Sequence, residues 1–266
     1  MGLLFPVIQR GYLKERLNLV ATYDTDYGLE LATNGQNCKS SWNVDQVEDL
    51  LSKIYGHDRI RRIQAAKARM NYLNANPTVD KRHMTYGELP LELFETALKT
   101  LARMTNSESN GSFVDLGSGV GRLTIAAAMM APRGVWQESV GIEIVSELHT
   151  AAIDAQYRLE RLGVADEDVL PIRFALGDAF NPEGSPLATA TAVYAYSTTW
   201  EADQDLVMGA LSDSLARWLQ PRTVVAVTDR KLREPFVLVD TIVGVNPEKG
   251  GPEATSTIRF YRLENK

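Results

Sequence analysis

The chain has 266 residues, of which 44% are hydrophobic, and its formal net charge at pH 7 is −6. No apolar run reaches the ~18 residues of a membrane-spanning helix, which excludes a helical membrane protein. The apolar start, residues 1–8, lacks the basic flank and cleavage site of a secretory signal, so an intracellular protein is expected, either cytoplasmic or nuclear. The length suits one large domain, or one domain with an appendage.

Cysteine and metal chemistry are not expected. Cys38 is the single cysteine, which rules out an intramolecular disulfide and a cysteine-based zinc site. The three histidines, His57, His83 and His149, are scattered and lack the spacing of metal ligands. We therefore predict no metal site.

Residues 1–84 are predicted to form a separate, mainly helical region. A short hairpin is expected between Leu17 and Leu31. Between Val44 and Asn74 apolar residues recur at helical spacing, and Gly56 separates two predicted helices. Each helix has one predicted apolar stripe, formed by Val47, Leu50, Leu51 and Ile54 in the first and by Ile60, Ile63, Ala66, Met70 and Leu73 in the second.

Basic residues are concentrated in this N-terminal region. Residues 1–84 carry 12 Lys and Arg against 9 Asp and Glu, whereas residues 85–266 carry 16 against 25. An acidic main body argues against broad binding to a phosphate backbone, so a nucleic-acid partner is unsupported, though not excluded, and would have to bind the N-terminal part. The segment Arg59 to Arg82 is interpreted either as a solvated helix face or as a docking surface for an acidic partner.

Residues 85–266 are predicted to form the main domain, because strands and helices alternate there. Helices are expected at 89–104, 121–131, 146–162 (with Ser146 as its cap) and 203–219, and strands at 112–117, 139–144, 170–176, 192–196, 223–228, 236–243 and 255–262. No long helix separates the last two strands, so they should pair antiparallel. The pattern predicts an α/β fold with a Rossmann-like, seven-stranded, mostly parallel sheet, an antiparallel final strand and helices on both faces.

The most informative motif is Phe113-Val114-Asp115-Leu116-Gly117-Ser118-Gly119-Val120-Gly121. An apolar strand ends in a carboxylate and a glycine loop, and a helix follows, so backbone N–H groups and an acidic side chain meet in one cleft. The spacing differs from the G-x-G-x-x-G of dinucleotide-binding proteins, and the loop has no Lys for a phosphate. Negative charge instead suits S-adenosylmethionine, which bears a sulfonium and an ammonium group.

Two further carboxylates lie at the carboxyl ends of the next two predicted strands. Glu143 can accept hydrogen bonds from both hydroxyls of a ribose. Asp178 can accept from the exocyclic amine of adenine, with Phe180 beside the base, although a turn residue after Gly177 is the simpler explanation for this aspartate. Because ligands of such sheets bind at the carboxyl ends of the strands, these residues predict one cofactor site.

These motifs resemble those of class I methyltransferases. The run Thr85-Tyr86-Gly87-Glu88-Leu89, followed by a helix and the glycine motif, resembles more narrowly the disruptor-of-telomeric-silencing family, non-SET lysine methyltransferases that modify a core histone. The similarity extends from about Tyr86 to about Lys231, over half of the chain.

The resemblance implies roles for the matching residues. The Tyr86-Gly87-Glu88 loop would close over the methionine end of the cofactor, whose amino acid part would lie in the loop of Asp115, Gly117, Ser118 and Gly119. Glu143 would bind the ribose, and Asp178 with Ala179 or Phe180 would bind the adenine. Judged without the resemblance, Glu88 is equally explained by a helix start, where a negative charge is favourable.

The chain departs from that family after the fourth predicted strand, where Tyr196-Ser197-Thr198-Thr199-Trp200 replaces an Asn-Asn-Phe element. Histone specificity therefore does not carry over. We predict that Tyr196 and Ser197 are catalytic residues lining the acceptor channel, with Tyr86 and Trp200 as aromatic walls against an amine. Packing in the core is the alternative role for Trp200.

The favoured function is a protein-lysine methyltransferase that acts on a protein substrate by in-line displacement. A small-molecule methyltransferase on the same fold and a cofactor-binding scaffold without turnover remain open as alternatives. The basic segment discriminates between the two enzymes. A position beside a groove leading to Tyr86 favours a macromolecule, and a position facing away favours a small molecule.

Overall fold

The structure is a computed structural model that describes residues 42–81, 84–105, 111–164, 166–181 and 186–264. The hairpin predicted at residues 17–31 lies outside this range, as do Cys38, Arg82 and His83. The described part contains six α-helices and seven strands: α1 (Val44–Tyr55), α2 (Asp58–Ala75), α3 (Leu91–Met104), β1 (Ser112–Leu116), α4 (Arg122–Met130), β2 (Glu138–Glu143), α5 (Ser146–Arg161), β3 (Ile172–Leu176), β4 (Ala190–Ala195), α6 (Gly209–Trp218), β5 (Val224–Thr228), β6 (Phe236–Val245) and β7 (Thr255–Leu263). None of these helices is long and apolar enough to cross a membrane.

The seven strands form one sheet in the order β3-β2-β1-β4-β5-β7-β6. All neighbouring strands are parallel except β7, which is antiparallel to both β5 and β6. Leu116 at the end of β1 is in register with Ile142 of β2 and Ala195 of β4, so these strands end at one edge of the sheet. The predicted fold class is confirmed.

The sheet is covered on both faces, and side chains alternate along its strands to reach the two cores. In β4, Tyr194 belongs to the cluster that contains residues of α1, α3 and α4, whereas Val193 belongs to the cluster that contains residues of α6. The Tyr194 ring packs edge-on against Phe94 of α3, with ring centroids 5.2 Å apart. Burial on both faces explains why the central strands are almost entirely apolar.

Helix α1 packs on the first of these two cores. Asn43 and Gln46 form a capping box that satisfies the N-terminal N–H groups of α1. The predicted apolar stripe of α1 is buried in the cluster that also contains residues of α3 and α4. The domain boundary predicted at residue 84 stays a prediction.

The predicted apolar stripe of α2 is wrong. Ile60, Ile63 and Met70 are 57%, 59% and 44% exposed, and only Leu73 of the predicted stripe is buried. The helix turns a different face inward, with Ala65 and Ala68 packed against Leu148 of α5 and neighbouring residues. Small side chains allow this close approach, and the buried Arg61 lies on the same face because it has a carboxylate partner, described below.

The start predicted for the last helix is also wrong, because α6 begins at Gly209 and not at Asp203. The Asp203 carboxylate accepts hydrogen bonds from the N–H groups of Asp205 and Val207, both at 2.9 Å. Leu206 has a φ of +65°, which a right-handed helix does not allow. Residues 203–208 therefore form a turn that precedes the helix.

Candidate active site

A cavity of about 570 Å³ opens at the carboxyl ends of the parallel strands. Every predicted site residue except Ser197 lines it: Tyr86, Gly87, Glu88, Asp115, Gly117, Ser118, Gly119, Glu143, Asp178, Ala179, Phe180, Tyr196 and Trp200. Residues near the end of α2 and in the following loop line it as well, among them Arg69, Tyr72 and Asp80. Within the described ranges, no cluster of three or more His, Cys, Asp or Glu is arranged to hold a metal ion.

The glycine loop forms the floor of this cavity because its backbone is left-handed. Gly117 and Gly119 have φ values of +70° and +57°, which other residues rarely adopt. A Cβ atom at Gly117 would lie 2.9 Å from Cζ2 of Trp200, and one at Gly119 would lie 3.0 Å from Cε2 of Tyr86. The two aromatic rings therefore lie directly against the loop, and both positions require glycine.

Glu143 is held by backbone groups on either side of it. Its two carboxylate oxygens accept hydrogen bonds from the N–H groups of Gly119 and Val145, each at 2.8 Å. Burial nevertheless raises the pKa of Glu143 above its usual range. The cap predicted for Ser146 is wrong, because the helix-capping position is Val145 and the Ser146 hydroxyl donates to Glu147.

Asp115 is the second buried carboxylate, and it is 2% exposed. The Thr124 hydroxyl donates to its Oδ2 atom at 2.9 Å. Burial raises the pKa of Asp115 to about 7, and the nearby Glu143 charge adds to the effect. Among the described residues, neither Asp115 nor Glu143 forms an ion pair, so the cavity has buried negative charge that a cation would stabilise.

S-adenosylmethionine fits this set of residues. Asp115 and Glu143 would provide negative charge for its cationic groups and acceptors for its hydroxyls, and the Ser118 hydroxyl is buried with no hydrogen-bond partner among the described residues. At the far end, Oδ1 of Asp178 accepts from the N–H of Phe180 at 2.8 Å, which matches the predicted turn and leaves the other oxygen for a ligand. The Phe180 and Trp200 rings lie 5.6 Å apart beside it.

The Tyr86-Gly87-Glu88 loop is anchored by a buried arginine that the sequence did not single out. Arg61 of α2 donates from Nε to Oε1 of Glu88 at 2.8 Å and from Nη2 to Oε2 at 2.6 Å. The Tyr86 hydroxyl donates to Oε1 of the same carboxylate at 2.6 Å. Burial opposes ionisation of Glu88, but the hydrogen bonds from Arg61 and Tyr86 outweigh it and lower the pKa of Glu88.

Glu88 is therefore largely engaged by protein groups. Arg61 and Glu88 are only 5% and 7% exposed, which makes this a buried ion pair. The geometry gives Glu88 the role of fixing Tyr86, which itself faces the cavity. The sequence does contain a signal that Arg61 is buried, because it lies at helical spacing from Ala65 and Ala68, the small residues of the buried face of α2.

Tyr196, which follows β4, also lines the cavity. Its ring lies against Gly87, where an added Cβ would be 2.8 Å from the ring atom Cε1. Its hydroxyl accepts a hydrogen bond from Nδ2 of Asn246 at 3.1 Å. Burial raises the pKa of both Tyr86 and Tyr196, so both phenols are neutral at neutral pH.

The catalytic role predicted for Ser197 is wrong. The side chain is fully buried, and its hydroxyl donates to the carbonyl oxygen of Thr228 at 2.9 Å. Because side chains alternate at the end of a strand, the residue after Tyr196 turns into the protein. Asn246, from the loop between β6 and β7, is instead a polar residue that contacts Tyr196.

Comparison with known proteins agrees with this site. The family described as histone methylation protein DOT1 matches residues 67–193. No curated protein matches the chain. Similar solved structures include an RNA methyltransferase from Salinibacter ruber in complex with S-adenosyl-L-homocysteine, with 22% identity and a TM-score of 0.43, covering 64% of this chain and 92% of that one.

Another similar structure is the rRNA methyltransferase aviRa from Streptomyces viridochromogenes, with 17% identity and a TM-score of 0.47, covering 66% of this chain and 86% of that one. These two likenesses are too distant to say anything of the methyl acceptor. The sheet order, the cavity and the family match together confirm the resemblance predicted from the motifs. The chain has the fold and the cofactor site of an S-adenosylmethionine-dependent methyltransferase, and over residues 67–193 it resembles the DOT1 histone methylation family.

Proposed function

We propose that this methyltransferase acts on a protein lysine side chain. The observation that carries the proposal is the charge of the cavity, which is lined by six acidic residues, Asp80, Glu88, Asp115, Glu143, Asp178 and Glu201, and by two basic ones, Arg69 and Arg122. Both arginines already donate to backbone carbonyls, Arg69 to Lys81 and Arg122 to Leu89, each at 2.9 Å. An acidic cavity attracts a cationic amine and repels the phosphates of a nucleic acid.

The cofactor supplies an electrophilic methyl group on a sulfonium. A lysine ammonium has no free electron pair, so the substrate amine would lose a proton to water before its nitrogen takes the methyl group, and the cofactor would leave as the neutral thioether. The protein has to align the amine and exclude bulk water, and no tyrosinate base is available because Tyr86 and Tyr196 are neutral. In this proposal, the phenol oxygens and the Trp200 ring orient the amine and stabilise its developing charge.

The DOT1 family match supports a protein substrate, because members of that family methylate a core histone. One observation favours a second candidate, a small-molecule amine. Arg61 and Arg62, from the segment proposed as a docking surface, are paired with Glu88 and Glu248 instead of facing a partner. Only Arg59, Lys67 and Lys81 of the described basic residues in this segment are left exposed for an acidic partner.

Transfer of a labelled methyl group tests the proposal. The protein is incubated with methyl-labelled S-adenosylmethionine and cell lysate, and the label is counted separately in protein, nucleic acid and small molecules. Label in lysine after hydrolysis of the protein fraction is the expected result. Label confined to small molecules supports the second candidate, and label in nucleic acid contradicts the argument from charge.

The Tyr196→Ala variant then tests the acceptor wall. We expect loss of turnover, with cofactor affinity retained, because Tyr196 lies on the acceptor side of the cavity. The matched control is Tyr157→Ala, since Tyr157 is 60% exposed on α5 and does not line the cavity. Unchanged turnover in Tyr196→Ala would contradict the role of Tyr196 in the acceptor site.

A further inference from the structure

The loop between β6 and β7 contributes a buried residue to the acceptor wall. Asn246 begins this loop and is fully buried. It lies 50 residues after Tyr196 in the sequence, yet its Nδ2 atom is 3.1 Å from the Tyr196 hydroxyl. The chain lacks the asparagines that the DOT1-like family has after the fourth strand, and this asparagine reaches the wall from a different element.

The orientation of the Asn246 amide follows from its neighbours. Asp229 accepts from the Ser256 hydroxyl at 2.9 Å and from Lys249 Nζ at 3.0 Å. Burial opposes the charge of Asp229, but the N–H of Thr257 and these donors outweigh it and lower its pKa, so it is an ionised acceptor. The single proton of Ser256 is therefore committed, and its oxygen accepts from Nδ2 of Asn246 at 2.8 Å.

The other side of the amide is fixed as well. Oδ1 of Asn246 accepts from the N–H of Glu248 at 3.3 Å. With one Nδ2 hydrogen given to Ser256, the second is directed at the Tyr196 oxygen, which is the acceptor in this bond. The hydrogen bond from Asn246 and the contact with Gly87 thus hold the Tyr196 ring from two sides.

We infer that Asn246 is a positioning residue of the acceptor site, which acts by holding the Tyr196 ring and hydroxyl in place for the incoming amine. This inference rests on the proposed function, because Tyr196 has to face an acceptor for its position to matter. In-line transfer is sensitive to small displacements of the nucleophile, so a mobile Tyr196 ring lowers turnover while the cofactor half of the cavity is unaffected.

A double-mutant cycle tests whether Asn246 acts through Tyr196. The four proteins are the natural chain, Asn246→Ala, Tyr196→Phe and the double variant, assayed for methyl transfer at saturating cofactor. We expect each single variant to lose about tenfold in kcat/KM, the double variant to lose no more than either, and the cofactor Kd to change less than about twofold. Multiplying effects, or a weakened cofactor Kd, overturn the inference.

Two further variants separate positioning from folding. Ser212→Ala is the control, because Ser212 is fully buried, donates to Met208 at 2.8 Å and does not line the cavity. We expect it to lower the melting temperature without changing kcat/KM. If Asn246→Ala does not fold, Asn246→Asp keeps the size and the acceptor for Glu248 while it lacks the N–H donors, and the same tenfold loss is expected.

A spectroscopic readout distinguishes failure of this inference from failure of the proposed function. Donation by Asn246 stabilises the phenolate of Tyr196 and opposes the increase in its pKa that burial causes. In an NMR titration of labelled tyrosine, Asn246→Ala should therefore raise the Tyr196 pKa further, because the other groups that act on this phenol, Thr198, Glu248 and Asp229, are unchanged. An unchanged pKa contradicts the hydrogen bond whether or not the protein methylates lysine.

Discussion

The cofactor half of the cavity and its acceptor half are built in different ways. The cofactor half consists of residues at the carboxyl ends of β1, β2 and β3, namely Asp115 with its glycine loop, Glu143 and Asp178. Parallel strands bring such residues together once the sheet forms. Each of them is therefore specified by a short local motif.

The acceptor half, and the Tyr86-Gly87-Glu88 loop that is predicted to close over the methionine end of the cofactor, instead depend on contacts between residues distant in the chain. Glu88 is bonded to Arg61, which is 27 residues away, and Tyr196 to Asn246, which is 50 residues away. Arg62 and Glu248, which connect α2 to the β6–β7 loop, are separated by 186 residues. A fold common to many enzymes thus fixes the site of the methyl donor, whereas the acceptor site depends on long-range contacts that are particular to this chain.

The largest expected effect comes from the ion pair on which the acceptor half is anchored. Arg61→Ala leaves the buried Glu88 carboxylate with the Tyr86 hydroxyl and two more distant cations, Arg62 Nη2 at 3.4 Å and Arg122 Nε at 3.8 Å. We expect the free energy of unfolding to fall by about 3 kcal/mol in chemical denaturation. Arg59→Ala, an exposed change on the same helix, should cost less than about 0.5 kcal/mol. A similar small cost for Arg61→Ala contradicts the buried pair.

The next effect concerns the cofactor half alone. Glu143→Ala removes the carboxylate at the end of β2 and leaves the N–H groups of Gly119 and Val145 without their acceptor. Cofactor binding measured by calorimetry should weaken by about 2 kcal/mol, which is roughly 30-fold. Glu147→Ala, an exposed position in the first turn of α5, is the control and should bind normally. Equal affinities of the two variants would count against the cofactor assignment.

Glu143 and Arg61 also show how much of the site could be predicted from the sequence. All seven strands were predicted to within two residues of their observed ends, because an apolar run bounded by turns encodes a buried strand locally. Glu143 and Asp115 followed from the strands. Arg61 did not, because an arginine in a basic helix is usually solvated, and only its distant partner Glu88 makes burial favourable.

The predictions for the acceptor half were wrong for the same reason, because they too depend on partners distant in the chain. Ser197 was expected beside Tyr196, but adjacent residues at a strand end point to opposite sides, and the local sequence did not decide which one faces the cavity. Asn246 lies in a polar Gly/Pro loop that is indistinguishable from an ordinary turn until the sheet order places β7 between β5 and β6. Tertiary contacts, which no local pattern encodes, determined both outcomes.

A smaller effect is the pH dependence of cofactor binding. The pKa of Asp115 is raised to about 7 by burial, and a cationic cofactor favours its ionised form. Affinity should therefore increase by about tenfold as the pH rises from about 5.5 to 7, in calorimetry at constant ionic strength. Asp115→Asn, which has the same shape and no titration, should bind weakly with little change over this range. A parallel pH dependence in both proteins assigns the effect to another group.

Stability should depend on Asp115 with the opposite sign. The folded pKa lies above the unfolded value, so the folded state holds the proton more tightly. Relative to Asp115→Asn, the free energy of unfolding of the natural chain should fall as the pH rises from about 4 to about 7. The same carboxylate thus destabilises the free protein under the conditions in which it binds the cofactor best.

The smallest effect tests whether the two halves are independent. Arg62 and Glu248 form a two-bond ion pair, with distances of 2.8 and 2.6 Å, that holds the loop carrying Asn246 against α2. The pair is partly exposed, so Arg62→Ala should lower the free energy of unfolding by less than about 1 kcal/mol.

A looser loop should still raise the acceptor KM about two- to threefold, while the cofactor Kd is unchanged. At high salt the variant should differ little from the natural chain, because screening weakens the ion pair of the natural chain. A cofactor Kd that shifts together with the acceptor KM would mean that the acceptor half and the cofactor half respond as one unit.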